Sequence, residues 1–198
     1  GASHGGGGAI AASGVTHCYG SARAPVCLGS GSSSKGGGCF VLSVGKALEL
    51  DGRITADAEN STGYYSGAGG SVYIQAKTLA GAGSVTANGG AVVNTHGGGG
   101  GRIAVVLSDG DFSSFTGSLR ANHRKTPGAC GAGGTVYMEA GADGAGRGTL
   151  VVDGMKTEDA TALTATSRTT YTGWTAEDAA FKPRKIVFRD RAVLGAPA

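Results

Sequence analysis

The chain has 198 residues, of which 40 are glycine, and its charged residues leave a net charge of only +3. This small charge and the low aromatic content of 6% argue against a nucleic-acid partner, which favours basic surfaces with interleaved aromatic rings. No stretch approaches the roughly 18 consecutive apolar residues that a membrane-spanning helix needs, so we expect no membrane span.

The first residues already look like part of a repeat. Residues 3–8 resemble residues 95–100, since both are a hydroxyl residue and a histidine followed by glycines. Position 1 is glycine and no apolar leader follows, so we expect a processed or excised piece. Because the opening resembles an interior coil, we predict that Gly1–Ile10 forms one uncapped end of the fold, with Ile10 at an assembly interface.

A glycine-punctuated block then recurs four times with a period of 31 to 34 residues, and each copy carries two β-type segments. The first segments begin at Gly38, Gly70, Gly101 and Gly134, and the second at Gly52, Gly83, Gly117 and Gly148. A fixed period of this size is typical of solenoids. We place the copies at 36–66, 67–97, 98–130 and 131–155, and interpret 156–198 as divergent terminal coils of the same single domain, 1–198.

The segments alternate apolar, β-branched residues with small or polar ones, which indicates half-buried strands, and no helical stripe is present. We therefore predict an all-β fold, a right-handed parallel β-helix with glycine-rich corners. A β-sandwich or a propeller fragment would not explain the glycine runs. The side chains at equivalent positions should point inward: Val72, Ile74, Val85, Ile103, Val105, Leu119, Val136 and Leu150.

The glycine runs at 5–8, 36–38 and 97–101 have two interpretations. They could form anion-binding nests of backbone N–H groups. They could instead be tight corners, loops or surfaces that pack against another backbone. The second interpretation is favoured, because no run is followed by a Lys-Ser/Thr pair or by a helical pattern.

The chain contains four cysteines, none of them in a C-x-x-C motif, namely Cys18, Cys27, Cys39 and Cys130. We expect no metal site, and an even number favours two disulfides and a location outside the cytosol. Of the three connectivities we choose Cys18–Cys27 and Cys39–Cys130. Asn60-Ser61-Thr62 is a glycosylation sequon, which is compatible with secretion.

Several carboxylates and histidines are candidate catalytic groups. They are Asp109, Asp111, Glu158, Asp159, Glu177, Asp178, His4, His17, His96 and His123. The sequence Asp109-Gly110-Asp111 is typical of a turn. It lacks the glutamate that completes a twelve-residue calcium-binding loop. The histidines have no serine or aspartate at a recognised spacing. We therefore predict no catalytic residue, no metal and no cofactor.

The last strand-like run lies within a basic stretch, residues 182–191. The bases could bind an acidic polysaccharide, or they could be the outward residues of a strand whose Ile186 and Phe188 point inward. We favour the second interpretation, and predict that Ile186 and Phe188 form an assembly interface at this end.

The stretches 69–74 and 81–90, with the run 97–101 and the segment Arg102–Val105, resemble the glycine-rich repeats of large secreted proteins of algae, oomycetes and other microbes. The resemblance covers roughly residues 1–155 and implies an extracellular, β-helical cell-surface or matrix protein. We expect a structural subunit that self-associates head to tail into a filament or matrix. The alternative is a β-helix that binds or cleaves carbohydrate, with an extracellular polysaccharide as its partner.

Overall fold

The computed structural model describes residues 1–9, 17–93, 95–124, 130–154, 172–173, 178, 181–190, 192 and 194–195. Short strands separated by glycine-rich connections make up the regular structure of these ranges. The strands are β1 (Cys39–Ser43), β2 (Ala47–Glu49), β3 (Arg53–Thr55), β4 (Ser71–Ala76), β5 (Thr78–Ala80), β6 (Ser84–Thr86), β7 (Arg102–Leu107), β8 (Ser118–Arg120), β9 (Gly134–Glu139), β10 (Thr149–Asp153), β11 (Thr172–Gly173), β12 (Lys185–Arg189) and β13 (Leu194–Gly195).

Successive coils stack in parallel with equivalent residues in register. One sheet has the order β1-β4-β7-β9-β10-β12, a second has β2-β5 and a third has β3-β6-β8, while β11 pairs with β13. Phe40, Val72, Ile103 and Val136 are register partners across four consecutive strands. The prediction of an all-β solenoid is thus confirmed, with about four turns.

The core is a narrow column of apolar side chains inside the stacked coils. Seven of the eight predicted inward residues belong to it and are at most 7% exposed. They are Val72, Ile74, Val85, Ile103, Val105, Leu119 and Val136. Strand alternation therefore located the core correctly in these positions.

The fourth copy departs from the predicted register. β10 does not form a second face as Gly52, Gly83 and Gly117 predicted, but turns back and pairs antiparallel with β9. The connection contains Gly144 and Gly146, both at positive φ (78° and 75°), a conformation that glycine adopts without steric cost. β12 then pairs in parallel with β10, so it runs opposite to β1.

This reversal makes the prediction for Leu150 wrong in direction. Leu150 is buried, but on the outer face of the six-stranded sheet with Ala104 and Tyr137. Val151 packs into the core instead. The cause is the pairing of Val151 with Val136, which places the neighbouring residue on the opposite face.

Residues 17–30, which we call the outer strap, cross the outer face of this sheet. Ala22 packs in the outer cluster, and the backbone carbonyl of Tyr19 accepts a 3.0 Å hydrogen bond from Nε of Arg102. Arg102 is fully buried beneath the strap. Farther along, the hydroxyl of Ser71 donates to the carbonyl of Cys27 at 2.6 Å.

The glycine runs pack backbone against backbone in a set of segments that we call the glycine bundle, residues 1–9, 29–38, 66–70, 97–101 and 130–134. Its amides bond between segments, as in Gly6 to Gly100 (2.9 Å) and Gly69 to Gly99 (3.0 Å). An added Cβ at Gly69, Gly70 or Gly100 would overlap the backbone of another segment. The glycines are therefore used for close backbone approach, as the favoured interpretation predicted.

The position of the first nine residues corrects another prediction. Residues 4–9 are buried within the glycine bundle, and the bundle bonds include Gly99 N–H to Ala2 (2.9 Å) and Ala132 N–H to Gly7 (2.7 Å). This segment therefore lies between interior coils rather than at an open end. Ile10 lies outside the described residues.

Candidate assembly surface

The end of the solenoid formed by β1, β2 and β3, which we call the open end, leaves core side chains uncovered. Phe40 is 41% exposed, whereas its register partners Val72, Ile103 and Val136 are at most 1% exposed. Leu48 also packs against the core and is only half-buried. The inward side of the first coil is thus an apolar surface.

All three strands of the open end are also sheet edges. In the part of the chain that the structure describes, each of β1, β2 and β3 has a hydrogen-bonded neighbour on one side only. β1 carries no charge and no proline, the devices with which proteins commonly block an edge. An unblocked edge next to uncovered apolar side chains is able to pair with another chain.

The opposite edge of the six-stranded sheet is β12. Ile186 and Phe188 are 42% and 55% exposed, on the outer face, while Val187 packs against the core. The prediction that Ile186 and Phe188 point inward is therefore wrong. β12 pairs with β10, and the reversal at the β9–β10 hairpin puts Val187 on the core side.

A buried carboxylate binds two arginines near this edge. Asp153 is fully buried, and its two oxygens accept from Nε of Arg120 at 3.1 Å and Nε of Arg189 at 2.8 Å. It also accepts from the backbone amide of Ala121 at 2.7 Å. Arg120 further contacts Asp190 at 2.8 Å. The network joins β8, β10 and β12, and nothing in the sequence periodicity pointed to it.

The basic stretch at 182–191 is thereby partly neutralised. Arg189 is held by Asp153, and Arg184 forms an ion pair with Asp143 at 2.8 Å. Lys182 and Lys185 remain exposed. Lys185 and Arg189 alternate with Ile186 and Phe188 along β12, so they lie on the same side of the strand as the core-facing Val187. The interpretation of the bases as the outward residues of this strand is therefore wrong as well.

The structure contains no disulfide between Cys18, Cys27, Cys39 and Cys130, all four of which it describes. Cys39 is exposed and Cys130 is buried. Oxidation of the cysteines stays a prediction. Asn60 is exposed, and its side-chain oxygen accepts a hydrogen bond from the amide of Ala91 at 3.0 Å. Glycosylation of Asn60 also stays a prediction.

The carboxylates that were candidates for catalysis are dispersed. Asp109 is exposed and contacts Lys77 at 3.6 Å, while the exposed Asp111 accepts from the amide of Ser113 at 2.9 Å. Asp178 is buried and accepts from the amide of Ala22 in the outer strap at 2.9 Å. Glu158, Asp159 and Glu177 lie outside the described residues.

Metal ligands and membrane-spanning helices are both absent from the described ranges. No group of three or more His, Cys, Asp or Glu side chains is arranged to hold a metal ion there. No helix among the same residues is long and apolar enough to cross a membrane.

His4 is buried in the glycine bundle. Its Nδ1 donates to the carbonyl of Gly69 at 2.8 Å, and Nε2 has no hydrogen-bond partner among the described residues. Burial, with a smaller contribution from the nearby positive charge of Arg102, lowers the pKa of His4 to about 4. Burial likewise lowers the pKa of His123 to about 4.

Because the pKa values of His4 and His123 are lowered in the folded chain, we predict that the free energy of unfolding falls in mild acid. The unfolded chain takes up protons as the pH falls below about 6.5, whereas the folded chain does not until about 4, so stability is lost across this window. For His4 alone the free energy of unfolding should fall by about 2 kcal/mol between pH 7 and pH 5. Urea denaturation at both pH values measures this, and His4→Gln should flatten the profile. An equal slope in that variant would contradict the assignment.

The chain matches no family model, no curated protein and no solved structure. The resemblance to the glycine-rich repeats of secreted microbial proteins therefore stays a prediction. The features that bear on function are the open end, the opposite edge at β12 and the surfaces between them.

Proposed function

We propose that this protein is a structural subunit that self-associates end to end through its open end and builds an extracellular filament or matrix. The observation that carries the proposal is the uncovered apolar end of the core, where Phe40 is 41% exposed beside three strand edges. Covering this surface with another chain would bury apolar area and satisfy the edge groups together.

The opposite end supplies a partner for the open end. Among the described strands β12 is the other edge of the same sheet, and it has five residues, as does β1. Because β12 runs opposite to β1, two copies stacked in the same orientation would pair these edges antiparallel. Such a contact is heterologous and does not close, so it propagates into a filament.

An extracellular location belongs to the same proposal. Its support is the exposed Asn60 within a sequon and the resemblance to secreted glycine-rich repeats.

Assembly predicts a concentration-dependent mass. The wild-type chain should form polymers in sedimentation velocity and fibres in negative-stain electron microscopy. Phe40→Lys should leave monomers, because a charge buried at the junction without a partner is costly. Val93→Lys is the matched control at an exposed apolar site elsewhere (61% exposed), and it should polymerise normally.

The β12 end distinguishes two modes of assembly. Phe188→Asp should also abolish polymers if the open end of one copy meets β12 of the next. If the open ends meet each other instead, that variant should still form dimers and the filament proposal would fail. A wild-type chain that stays monomeric at high concentration would overturn self-association altogether.

A second candidate function, carbohydrate binding, is favoured by two neighbouring tyrosines with exposed side chains. Tyr64 is 64% and Tyr65 is 38% exposed, and the ring of Tyr65 lies 5.3 Å from that of His96 in the next coil. Exposed ring faces of this kind can pack against sugar rings. A monomeric wild-type chain whose Tyr65→Ala variant loses retention on an acidic polysaccharide column would support this alternative.

A further inference from the structure

Two of the cysteines, Cys27 and Cys39, lie on adjoining segments at the outer face of the six-stranded sheet, although the sequence pattern assigned them to different bridges. Cys39 in β1 is the register partner of Ser71 in β4, so both side chains leave the sheet on the same face. That face is the outer one, since Val72, which follows Ser71 and is the register partner of Phe40, lies in the core.

Cys27 reaches the same place from the outer strap. Its carbonyl accepts a 2.6 Å hydrogen bond from the hydroxyl of Ser71, which fixes the strap directly above the neighbour of Cys39. Two residues later, the amide of Gly29 donates to the carbonyl of Gly37 at 2.9 Å, which holds the strap beside the start of β1. These two hydrogen bonds hold the strap around Cys27 beside the start of β1, where Cys39 lies.

The electrostatics agree with this placement. Partial burial of its thiol group raises the pKa of Cys39, and the charge of the Cys27 thiolate raises it additionally. Such an interaction is expected between groups on adjoining segments, and the contacts of Ser71 and Gly29 place Cys27 and Cys39 on adjoining segments. Cys27 is half-buried and Cys39 is exposed, so the pair is open to small molecules from the side of Cys39.

We propose that Cys27 and Cys39 are a redox pair that closes to a disulfide and locks the outer strap onto the first coil. The oxidant is a small-molecule disulfide of the glutathione class. The thiolate of Cys39 attacks one of its sulfurs and releases one small thiolate, and the thiolate of Cys27 then attacks Sγ of Cys39 and releases the second. The protein loses two electrons, and the protons of its two thiols go to the released thiolates.

The bridge replaces the connectivity chosen from sequence, and it does not depend on the proposed assembly. It closes a loop from residue 27 to residue 39 that contains the strap end and the start of β1. Oxidation should raise the melting temperature by about 5–10 °C, because the unfolded chain is restricted while the folded contacts already exist.

Digestion with trypsin places each of the four cysteines in a different peptide. Cleavage after Arg23, Lys35 and Lys46 places Cys27 in peptide 24–35 and Cys39 in peptide 36–46, while Cys18 and Cys130 fall in peptides 1–23 and 126–147. The full chain is incubated with oxidised glutathione, remaining thiols are alkylated, and the unreduced digest is analysed by mass spectrometry. We expect peptide 24–35 linked to 36–46, with Cys18 and Cys130 alkylated.

Two variants serve as controls. The double variant Cys18→Ser/Cys130→Ser should form the same linked peptide and show the same rise in melting temperature. Cys39→Ser, at an exposed position, should melt like the reduced wild type and show no rise upon oxidation. Linked peptides that pair Cys27 with Cys18 or Cys39 with Cys130, or four alkylated cysteines after oxidation, would overturn the proposal.

Discussion

Replacing Gly70 with alanine should unfold the protein or destabilise it by at least about 3 kcal/mol, because the new methyl group has no room. Its Cβ would stand far inside contact distance of the carbonyl oxygen of Gly38 and 2.6 Å from that of Gly37. These atoms are backbone of a neighbouring coil, and they cannot turn aside as a flexible side chain would. Urea denaturation followed by circular dichroism measures the effect.

Gly38→Ala is the matched control for this prediction. It lies in the same part of the glycine bundle, yet an added Cβ there meets nothing within 4 Å. The control should therefore change the free energy of unfolding by less than about 1 kcal/mol. Equal stability of the two variants would show that the close backbone approach at Gly70 does not constrain the residue there.

The repeat period predicted most of the fold. Equivalent glycines such as Gly70 and Gly101 fixed where one coil follows another, and the alternation of Val72 and Ile74 assigned the inward face. Both features are local, and both are enforced because a one-residue slip would turn every core side chain outward. For that reason seven inward residues could be named without a structure.

The reversal after β9 could not be predicted in the same way. The segment that begins at Gly148 matches the second segments of the earlier copies, and its true partner is decided by the turn between residues 140 and 148. There the hydroxyl of Tyr137 accepts from the amide of Gly148 at 2.9 Å, and Glu139 accepts from Gly146 at 2.6 Å. Such contacts depend on side chains that the repeat does not specify.

The insertion of residues 1–9 into the glycine bundle escaped prediction for a related reason. A run of glycines fits equally at an open end and between two backbones, since it carries no pattern that marks a face. Its partners, such as Gly100 and Ala132, are about a hundred residues away along the chain. The sequence pattern consequently points to Ile10 as an assembly residue, whereas the uncovered core lies at Phe40.

Replacing Asp153 with alanine is expected to cost about 3–5 kcal/mol, because it leaves two arginines without the carboxylate that they share. Asp153 is fully buried, and it holds Arg120 on β8 and Arg189 on β12 to the last turn of the core. Losing it also removes the acceptor of the Ala121 amide. The free energy of unfolding in urea is the measurement.

Two further variants serve as comparisons for this prediction, one at the same site and one at an exposed ion pair elsewhere. Asp153→Asn keeps an acceptor of similar size but not the charge, so it should be destabilised by roughly 2 kcal/mol, less than the alanine variant. Asp109→Ala breaks the exposed pair with Lys77, whose side chains are 61% and 56% exposed, and should cost less than about 0.5 kcal/mol. If Asp153→Ala were no more costly than Asp109→Ala, the buried network would not be what fastens β12, and the sheet edge proposed for assembly would need another support.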